Sequence, residues 1–511
     1  MERVTGIFQA QDNIPAWCDR IISGKRYIVA LSSITAVTLI LHCRHAMNVI
    51  GLSASLDTPL YWMYDTESYS LCADAILQGI PLSPAFQERL LVPALLAAIR
   101  FIGWPDYMFL WIPVVLHVCC VPAVAFLGRY ISGYKSVAIM AALIYCIFPH
   151  LYQYTPEIGT DMLNTQFMLL AVALTLMWCA RGVKAAWWGA GLCWMAAQLT
   201  RPTCFFIGPV LLVLLIPALV TGKRKAAILL TLMTLIVPAG MSVFNYTMYR
   251  VAAPTLCKPE LLHRAAVPHV KAFKRLQENG GRLSSYWYEE RDVIASSDPD
   301  WKALQLYTPG FRDRETFKMH YDALIRKSES YLKNNRMWLI RTAWFPIRHV
   351  LFKAPSYYPA RYSQPEGNQL HYFIWRGHIL FLMFGCIGLI GAIRHHPFLV
   401  LFVLGVAAMV VLPCAFFMWV MSSARLPVDL LLLPFAAYAV LCIISWLIIS
   451  LTGLAGWLPV RLNVLPPWSL LLVTGIVLGV YLFREIWLAL PYWWTRIQAG
   501  VCTSRLQPDK G

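Results

Sequence analysis

The sequence predicts an all-α polytopic membrane protein with about eleven transmembrane helices, and three observations carry that expectation. Of its 511 residues 59% are hydrophobic and only 14% charged, and mean hydropathy is positive, far from the mix of a soluble globular chain. The apolar residues gather into stretches of roughly twenty, the length that carries a helix across about 30 Å of hydrocarbon. Basic residues recur at alternate ends of those stretches, as the positive-inside rule requires of cytoplasmic loops.

Taken in order, a polar leader with Arg20, Lys25 and Arg26 precedes a first span at about 27–42 and reads as a retained anchor. The chain then enters an outer loop from Cys43 to about Asp106. Within it Leu90 to Ile102 is largely apolar, yet it is short, contains Arg100 and is followed by Gly103-Trp104-Pro105. A crossing there would invert the side of every later basic loop, so this stretch is placed as a juxtamembrane helix in the interface. Spans follow at about 107–127, 136–152, 162–180, 185–200, 203–221 and 226–245. Arg129 with Lys135, Arg181 with Lys184, the run Lys223-Arg224-Lys225, and Arg394 mark the cytoplasmic side. Residues 246–371 read as a small, mostly helical extracytoplasmic segment, with a charged stretch Tyr288 to Asp292 and a helical run from Glu315 to Leu332. Spans at about 372–393, 397–420, 428–450 and 467–484 complete the bundle. The expected organisation is a transmembrane module with functional outer loops (1–245), the extracytoplasmic segment (246–371), C-terminal transmembrane helices (372–486) and a polar tail (487–511).

The net charge of +17 does not point to nucleic acid, because much of it sits at the orientation positions just named. The rest lies mainly after residue 246, where lipid headgroups and plain solvation fit equally well. Most of the fourteen cysteines fall inside apolar stretches and no C-x-x-C pair exists; only Cys43, Cys72, Cys257 and Cys502 could meet in an oxidising compartment. There is no H-E-x-x-H, P-loop, G-x-S-x-G or strand-borne G-x-G-x-x-G, which removes support for a zinc protease or a nucleotide hydrolase.

Four outer-side clusters could carry chemistry. Tyr64-Asp65-Thr66-Glu67-Ser68-Tyr69 is followed by Glu88-Arg89-Leu90-Leu91-Val92-Pro93. A carboxylate there could accept a proton or hold a divalent cation, and Arg89 could grip a phosphate; the same residues also fit an ordinary solvated loop with an arginine at a helix boundary. Thr155-Pro156-Glu157-Ile158-Gly159-Thr160-Asp161 puts two carboxylates around a glycine at the mouth between two spans, as a site or as a helix cap. Leu199-Thr200-Arg201-Pro202 places a cation against the charge trend, for an anionic partner or for snorkelling to headgroups. In Arg425-Leu426-Pro427-Val428-Asp429 an arginine opens a span four residues before an aspartate, a spacing at which the two could simply pair. His117 within a span is expected to be a hydrogen-bonded core group.

These pieces in this order resemble the C-type superfamily of membrane glycosyltransferases, in particular the branch with protein O-mannosyltransferases and the lipid A aminoarabinose transferase. The resemblance covers about residues 60–215 and 370–450 and rests on Asp65, Tyr69, Ala73, Arg89 and Pro93, on Thr160-Asp161, on Gly189 to Leu192 with Leu199 to Pro202, and on Arg425 to Asp429. It implies a sugar donor carried on a polyprenyl phosphate and an acceptor, whether lipid, glycan or protein, met at the outer face of a bacterial inner membrane. It implies Asp65 as the carboxylate that activates the acceptor, with Glu157 and Asp161 in a second acidic role, in acceptor positioning or metal binding. Arg89, Arg201 and Arg425 become the donor-phosphate residues. Many relatives have adjacent Asp-Glu in the first loop, whereas Thr66 separates Asp65 from Glu67 here, which leaves the role of Glu67 and any divalent cation open. No nucleotide site is needed when the leaving group is a lipid phosphate.

Two other classes compete. A polysaccharide polymerase or ligase shares the many spans and functional arginines but seldom pairs outer carboxylates in its first two loops. A lipid or glycan transporter predicts ionisable residues along the mid-membrane path and two similar halves, and the sequence shows neither.

Overall fold

The computed structural model describes residues 22, 24–53, 65–148, 158–220, 222–310, 312–352, 367–417 and 426–454. Among them the chain is helical throughout, with no strand. Cys18–Leu441 forms one compact unit, and the other unit, Met1–Trp17 with Cys442–Gly511, contributes only the end of the last helix to the described residues.

Among the described residues six helices are long and apolar enough to cross a membrane: Gly24–Gly51, Asp106–Ser132, Thr160–Arg181, Pro202–Val220, Arg224–Tyr249 and Leu426–Ile444. Lys135–Ile147, Leu380–Ala392 and Pro397–Leu412 are apolar but shorter. The chain is thus an all-α polytopic membrane protein; the expected span at about 467–484 lies outside the described residues. The first helix, α1, runs Gly24–Ser53, well past the expected end at residue 42. Nothing in Cys43 to Ser53 breaks a helix, so its polar residues ride on the same rod.

Two short helices fill the first outer loop: α2 (Thr66–Leu77) and α3 (Leu91–Phe101). At eleven residues α3 is roughly 16 Å long, about half the hydrocarbon thickness, as its interfacial placement requires. Arg100 ties α3 to α2. Its guanidinium donates to Asp106 Oδ1 at 2.8 Å and Oδ2 at 2.6 Å, to Asp74 Oδ1 at 2.6 Å, and to the Ser70 hydroxyl and carbonyl at 2.6 and 3.0 Å.

The bundle behind this loop is built by α4 (Trp111–Ser132), α5 (Lys135–Ile147), α6 (Thr160–Arg181), α7 (Lys184–Thr200), α8 (Ile207–Val220) and α9 (Arg224–Tyr249). Small residues let helices approach: a Cβ on Gly128 of α4 would press on Ala141 and the Val137 carbonyl of α5 at 3.2 and 3.1 Å. His117 accepts or donates at Nδ1 to the Tyr145 hydroxyl at 3.0 Å, the hydrogen-bonded core role expected of it. Lysines finish the far ends of the helices, where Lys223 Nζ donates to the Cys179 carbonyl at 2.7 Å at the C-terminus of α6.

α9 ends on Arg250, whose φ of 57° turns the chain out of the bundle. The segment beyond is helical as expected. A π-helix at Glu260–Ala266 leads into α10 (Val267–Asn279), followed by α11 (Leu283–Ser297), α12 (Pro299–Leu304), α13 (Arg314–Asn334) and α14 (Arg336–Phe352). α13 contains the run foreseen from Glu315 to Leu332. Arg312 organises the loop before α13, donating to the carbonyls of Leu304 at 3.3 Å, Gln305 at 2.6 Å and Gly310 at 2.9 Å and to that of Thr308. That loop pairs with the first outer loop through Ala85 N–H to the Leu306 carbonyl at 2.9 Å and Gly310 N–H to the Pro81 carbonyl at 2.9 Å. Cys43, Cys72 and Cys257 are free thiols.

Removing Arg100 leaves two carboxylates and a carbonyl without their shared donor. Arg100→Ala is expected to cost roughly 2 kcal/mol and Arg100→Lys less, read as thermal midpoints in detergent. A midpoint unchanged in Arg100→Ala would refute the tie.

Candidate functional site

Asp65 caps the start of α2, and its carboxylate lies on Arg89: Nη1 donates to Oδ2 at 2.6 Å. The same nitrogen reaches the Tyr69 hydroxyl at 3.2 Å. Tyr69 is buried one helical turn after Asp65, and its hydroxyl shares a hydrogen bond of 3.4 Å with Thr160 Oγ1. Thr66, also buried, donates to the Ile158 carbonyl at 2.9 Å. Two motifs almost a hundred residues apart are thereby joined.

Across that joint lies a second pair. Asp161, in the first turn of α6, forms an ion pair with Arg201, the extended residue between α7 and the Pro202 turn. Gly159 is the cap of α6, so Asp161 is no cap; it faces a cation. Arg201 likewise serves a carboxylate. Its turn is held from beneath by buried polar bonds: Cys204 Sγ to Asn164 Oδ1 at 3.0 Å, and Gln198 Nε2 to the Thr234 carbonyl at 2.7 Å.

Four of the expected site residues, Asp65, Arg89, Asp161 and Arg201, thus form two carboxylate–arginine pairs bridged by Tyr69 and Thr160. Glu67 stands apart, exposed on α2 two residues from Asp65, a spacing that puts it on another face of the helix. Glu157 and Arg425 lie outside the described residues. Asp429 is buried in the last helix.

Burial opposes the positive charge of Arg89, yet Tyr69 and Asp65 outweigh it and keep the guanidinium firmly protonated. Its plane lies against Phe86, 5.3 Å from the ring centroid. Phe86 packs edge-on to Tyr69 at 5.1 Å and contacts Tyr307 at 6.0 Å. Tyr307 accepts from Arg264 Nη1 at 2.6 Å, and Arg264 also lies 3.5 Å from Glu260. A second acidic and basic couple therefore borders the first, supplied by the π-helix; π-turns often occur at functional sites. Burial raises the Glu260 carboxyl above its ordinary range, with Asp65 adding to the rise and Arg264 and Arg89 opposing it.

The sequence reading quoted Glu88 beside Arg89 without giving it a role. Its carboxylate is 1% exposed and accepts from Thr255 Oγ1 at 2.6 Å and from the Leu256 amide. Burial pushes its pKa up to about 7 in spite of those bonds. Glu260 and Arg264 were missed entirely, because a Glu and an Arg four apart on a polar helix read as a solvated surface pair.

Among the described residues no group of three or more His, Cys, Asp or Glu side chains could hold a metal ion. Asp65 and Asp161 each face an arginine, so a divalent cation would have to displace one.

No protein-family profile and no curated protein matches the chain. Solved structures do align with it. The oligosaccharyltransferase AglB from Archaeoglobus fulgidus, in complex with an inhibitory peptide and a dolichol-phosphate, is 14% identical, with TM-score 0.46, over 88% of this chain and 54% of that one. The A. fulgidus oligosaccharyltransferase with Zn and sulfate is 14% identical, with TM-score 0.44, over 82% and 51%. ArnT from Cupriavidus metallidurans bound to undecaprenyl phosphate is 10% identical, with TM-score 0.31, over 81% and 78%. The chain spans about half the length of the oligosaccharyltransferase.

Glu88 makes a signed pH prediction. The unfolded chain loses this proton near 4.5 and the folded chain near 7, so folding stability falls as pH rises between those values. The loss is at most on the order of 3 kcal/mol. Glu88→Gln should flatten the thermal midpoint across that window, and a slope identical to wild type would remove Glu88 as its source.

Proposed function

We propose that the chain is a membrane glycosyltransferase that moves a sugar from a polyprenyl-phosphate donor to a lipid, glycan or protein acceptor at the outer face of a bacterial inner membrane. One observation carries this reading: Asp65, its side chain 40% exposed, is aligned by Arg89, while Nε of Arg89 is buried with no hydrogen-bond partner among the described residues. Nε of Arg264 is in the same condition. Buried guanidinium donors without partners are costly, and a phosphate oxygen is the group that satisfies them best.

The chemistry follows from that arrangement. Asp65 takes the proton of the acceptor hydroxyl or amine as the acceptor atom bonds to the sugar's anomeric carbon. The bond from that carbon to the phosphate oxygen breaks, and its electron pair leaves with the lipid phosphate. Fixed cations answer the charge that develops there, Arg89 and Arg264 first, with Arg201 and Arg425 as the further candidates. Arg89 holds Asp65 in place until a donor phosphate arrives; on taking the phosphate, it releases the carboxylate to act as base. Asp161 keeps the Arg201 turn at the site's edge. The outer-face assignment is supported by Lys135, Lys184 and Lys223, which begin or precede helices at the ends opposite Asp161 and Arg201. Glu260 and Arg264 bring the π-helix after α9 to the same phosphate position as Arg89.

With a radiolabelled polyprenyl-phosphate sugar, Asp65→Asn should lower transfer at least about a hundredfold without preventing donor binding. Arg89→Ala should lose both transfer and donor binding, and Arg89→Lys should recover only part. Unchanged transfer by Asp65→Asn would sink the catalytic assignment. Failure of the wild-type protein with every lipid-phosphate sugar would favour a polymerase, ligase or transporter.

A further inference from the structure

The π-helix has a second face. Glu260 and Arg264 point to the site, whereas His263, with Val267 at the start of α10, borders a separate cavity of about 290 Å³. α10, α11 and α13 close it with Lys271, Ile294, Lys327 and Tyr331 among the lining residues. Its size is at the lower limit for small-molecule sites and suits a single sugar ring.

The floor is polar and already ordered. His263 Nδ1 lies 3.1 Å from Ser328 Oγ, and that hydroxyl donates to the Leu324 carbonyl at 2.7 Å. His263 Nε2 is 3.0 Å from Asp298 Oδ2, which also accepts from Lys327 Nζ at 2.5 Å, while Asp298 Oδ1 accepts the Asp300 amide at 3.0 Å as the cap of α12. A serine, a histidine and an aspartate in a row suggest a nucleophile, but a mid-helix hydroxyl bonded to its own backbone and 1% exposed cannot attack a substrate. The row instead fixes the floor, and Lys327 pairs with its carboxylate.

What remains available is on the rim. Lys327 is 59% exposed and commits one of its three ammonium hydrogens to Asp298. Lys271 sits 5.9 Å over the Tyr331 ring, a face that a sugar's C–H edge could share. Val267, Ile294 and Pro299 supply an apolar wall. Lys271 beside the Lys327–Asp298 pair, the remaining ammonium hydrogens of Lys327, an aromatic face and an apolar wall select an anion attached to a ring rather than a free ion or a neutral sugar.

We propose that this cavity is a binding site for a sugar unit carrying a carboxylate or phosphate, with Lys271 and Lys327 on the anion and Tyr331 against the ring. As an acceptor subsite it rests on the transfer reading; as a binding site it does not. The test is equilibrium binding to the purified full-length protein in detergent, without donor, with glucuronate and glucose 6-phosphate as probes and glucose and inorganic phosphate as comparators. Saturable binding of the acidic sugars is expected, about tenfold or more tighter than either comparator, and weakened about tenfold by Lys271→Ala and again by Lys327→Gln. Tyr331→Leu should weaken the acidic sugars and leave inorganic phosphate unchanged, and thermal midpoints check that each variant is folded. No saturable binding of either acidic sugar, binding unaffected by the two lysine changes in folded protein, or phosphate binding as tightly as glucose 6-phosphate would each overturn the proposal. Asp65→Asn should bind the probes as wild type does, so loss of transfer and loss of this site are separable outcomes.

Discussion

The two carboxylate–arginine pairs are joined by one bridge, the hydrogen bond between the Tyr69 hydroxyl and Thr160 Oγ1. On one side of it Arg89 holds Asp65; on the other Arg201 holds Asp161. Tyr69 and Thr160 are both buried, and buried hydroxyls are costly unless bonded, so the two motifs specify each other. The bond from the Thr66 hydroxyl to the Ile158 carbonyl, flanking the bridge, makes the arrangement a two-point attachment. An aspartate and an arginine brought together in this way can exchange a neighbour for a substrate group, which an aspartate in open solvent could not do.

The bridge holds only because the loop carrying Tyr69 is rigid. Arg100 binds α2 to α3, Glu88 anchors the turn before α3 to Thr255 and Leu256, and Gln87 donates to Asn245 at 2.5 Å in the last turns of α9. Residues 78–90 are thus fixed to the bundle and to the start of the 246–371 segment by side chains, together with the Ala85–Leu306 and Gly310–Pro81 backbone bonds. The buried acid of Glu88 is the price of that anchorage. It is a positioning group, and its titration near neutral pH is a consequence of its burial.

Several motif residues proved to have two uses. In Thr160-Asp161 the threonine makes the bridge and the aspartate takes Arg201, so both letters of the pair act, in different directions. Glu67, which has the same residue type as the missed Glu88, is exposed because a helix separates positions two apart. Residue type and loop position could not distinguish them. Glu88 precedes the apolar run of α3 and is carried inward with it, whereas Glu67 sits on the solvent side of α2.

What the sequence determined by itself was the helical membrane architecture, the short interfacial helix at 91–101, and the motifs around Asp65, Arg89, Asp161 and Arg201. These are legible because hydropathy and charge act locally and add along the chain: twenty apolar residues need hydrocarbon whatever surrounds them. Tertiary structure alone decided which arginine meets which carboxylate, that Glu88 is buried, and that Glu260 and Arg264 join the site from a polar helix. Those outcomes rest on single hydrogen bonds between residues as far as 168 positions apart, and no local pattern encodes such a partner.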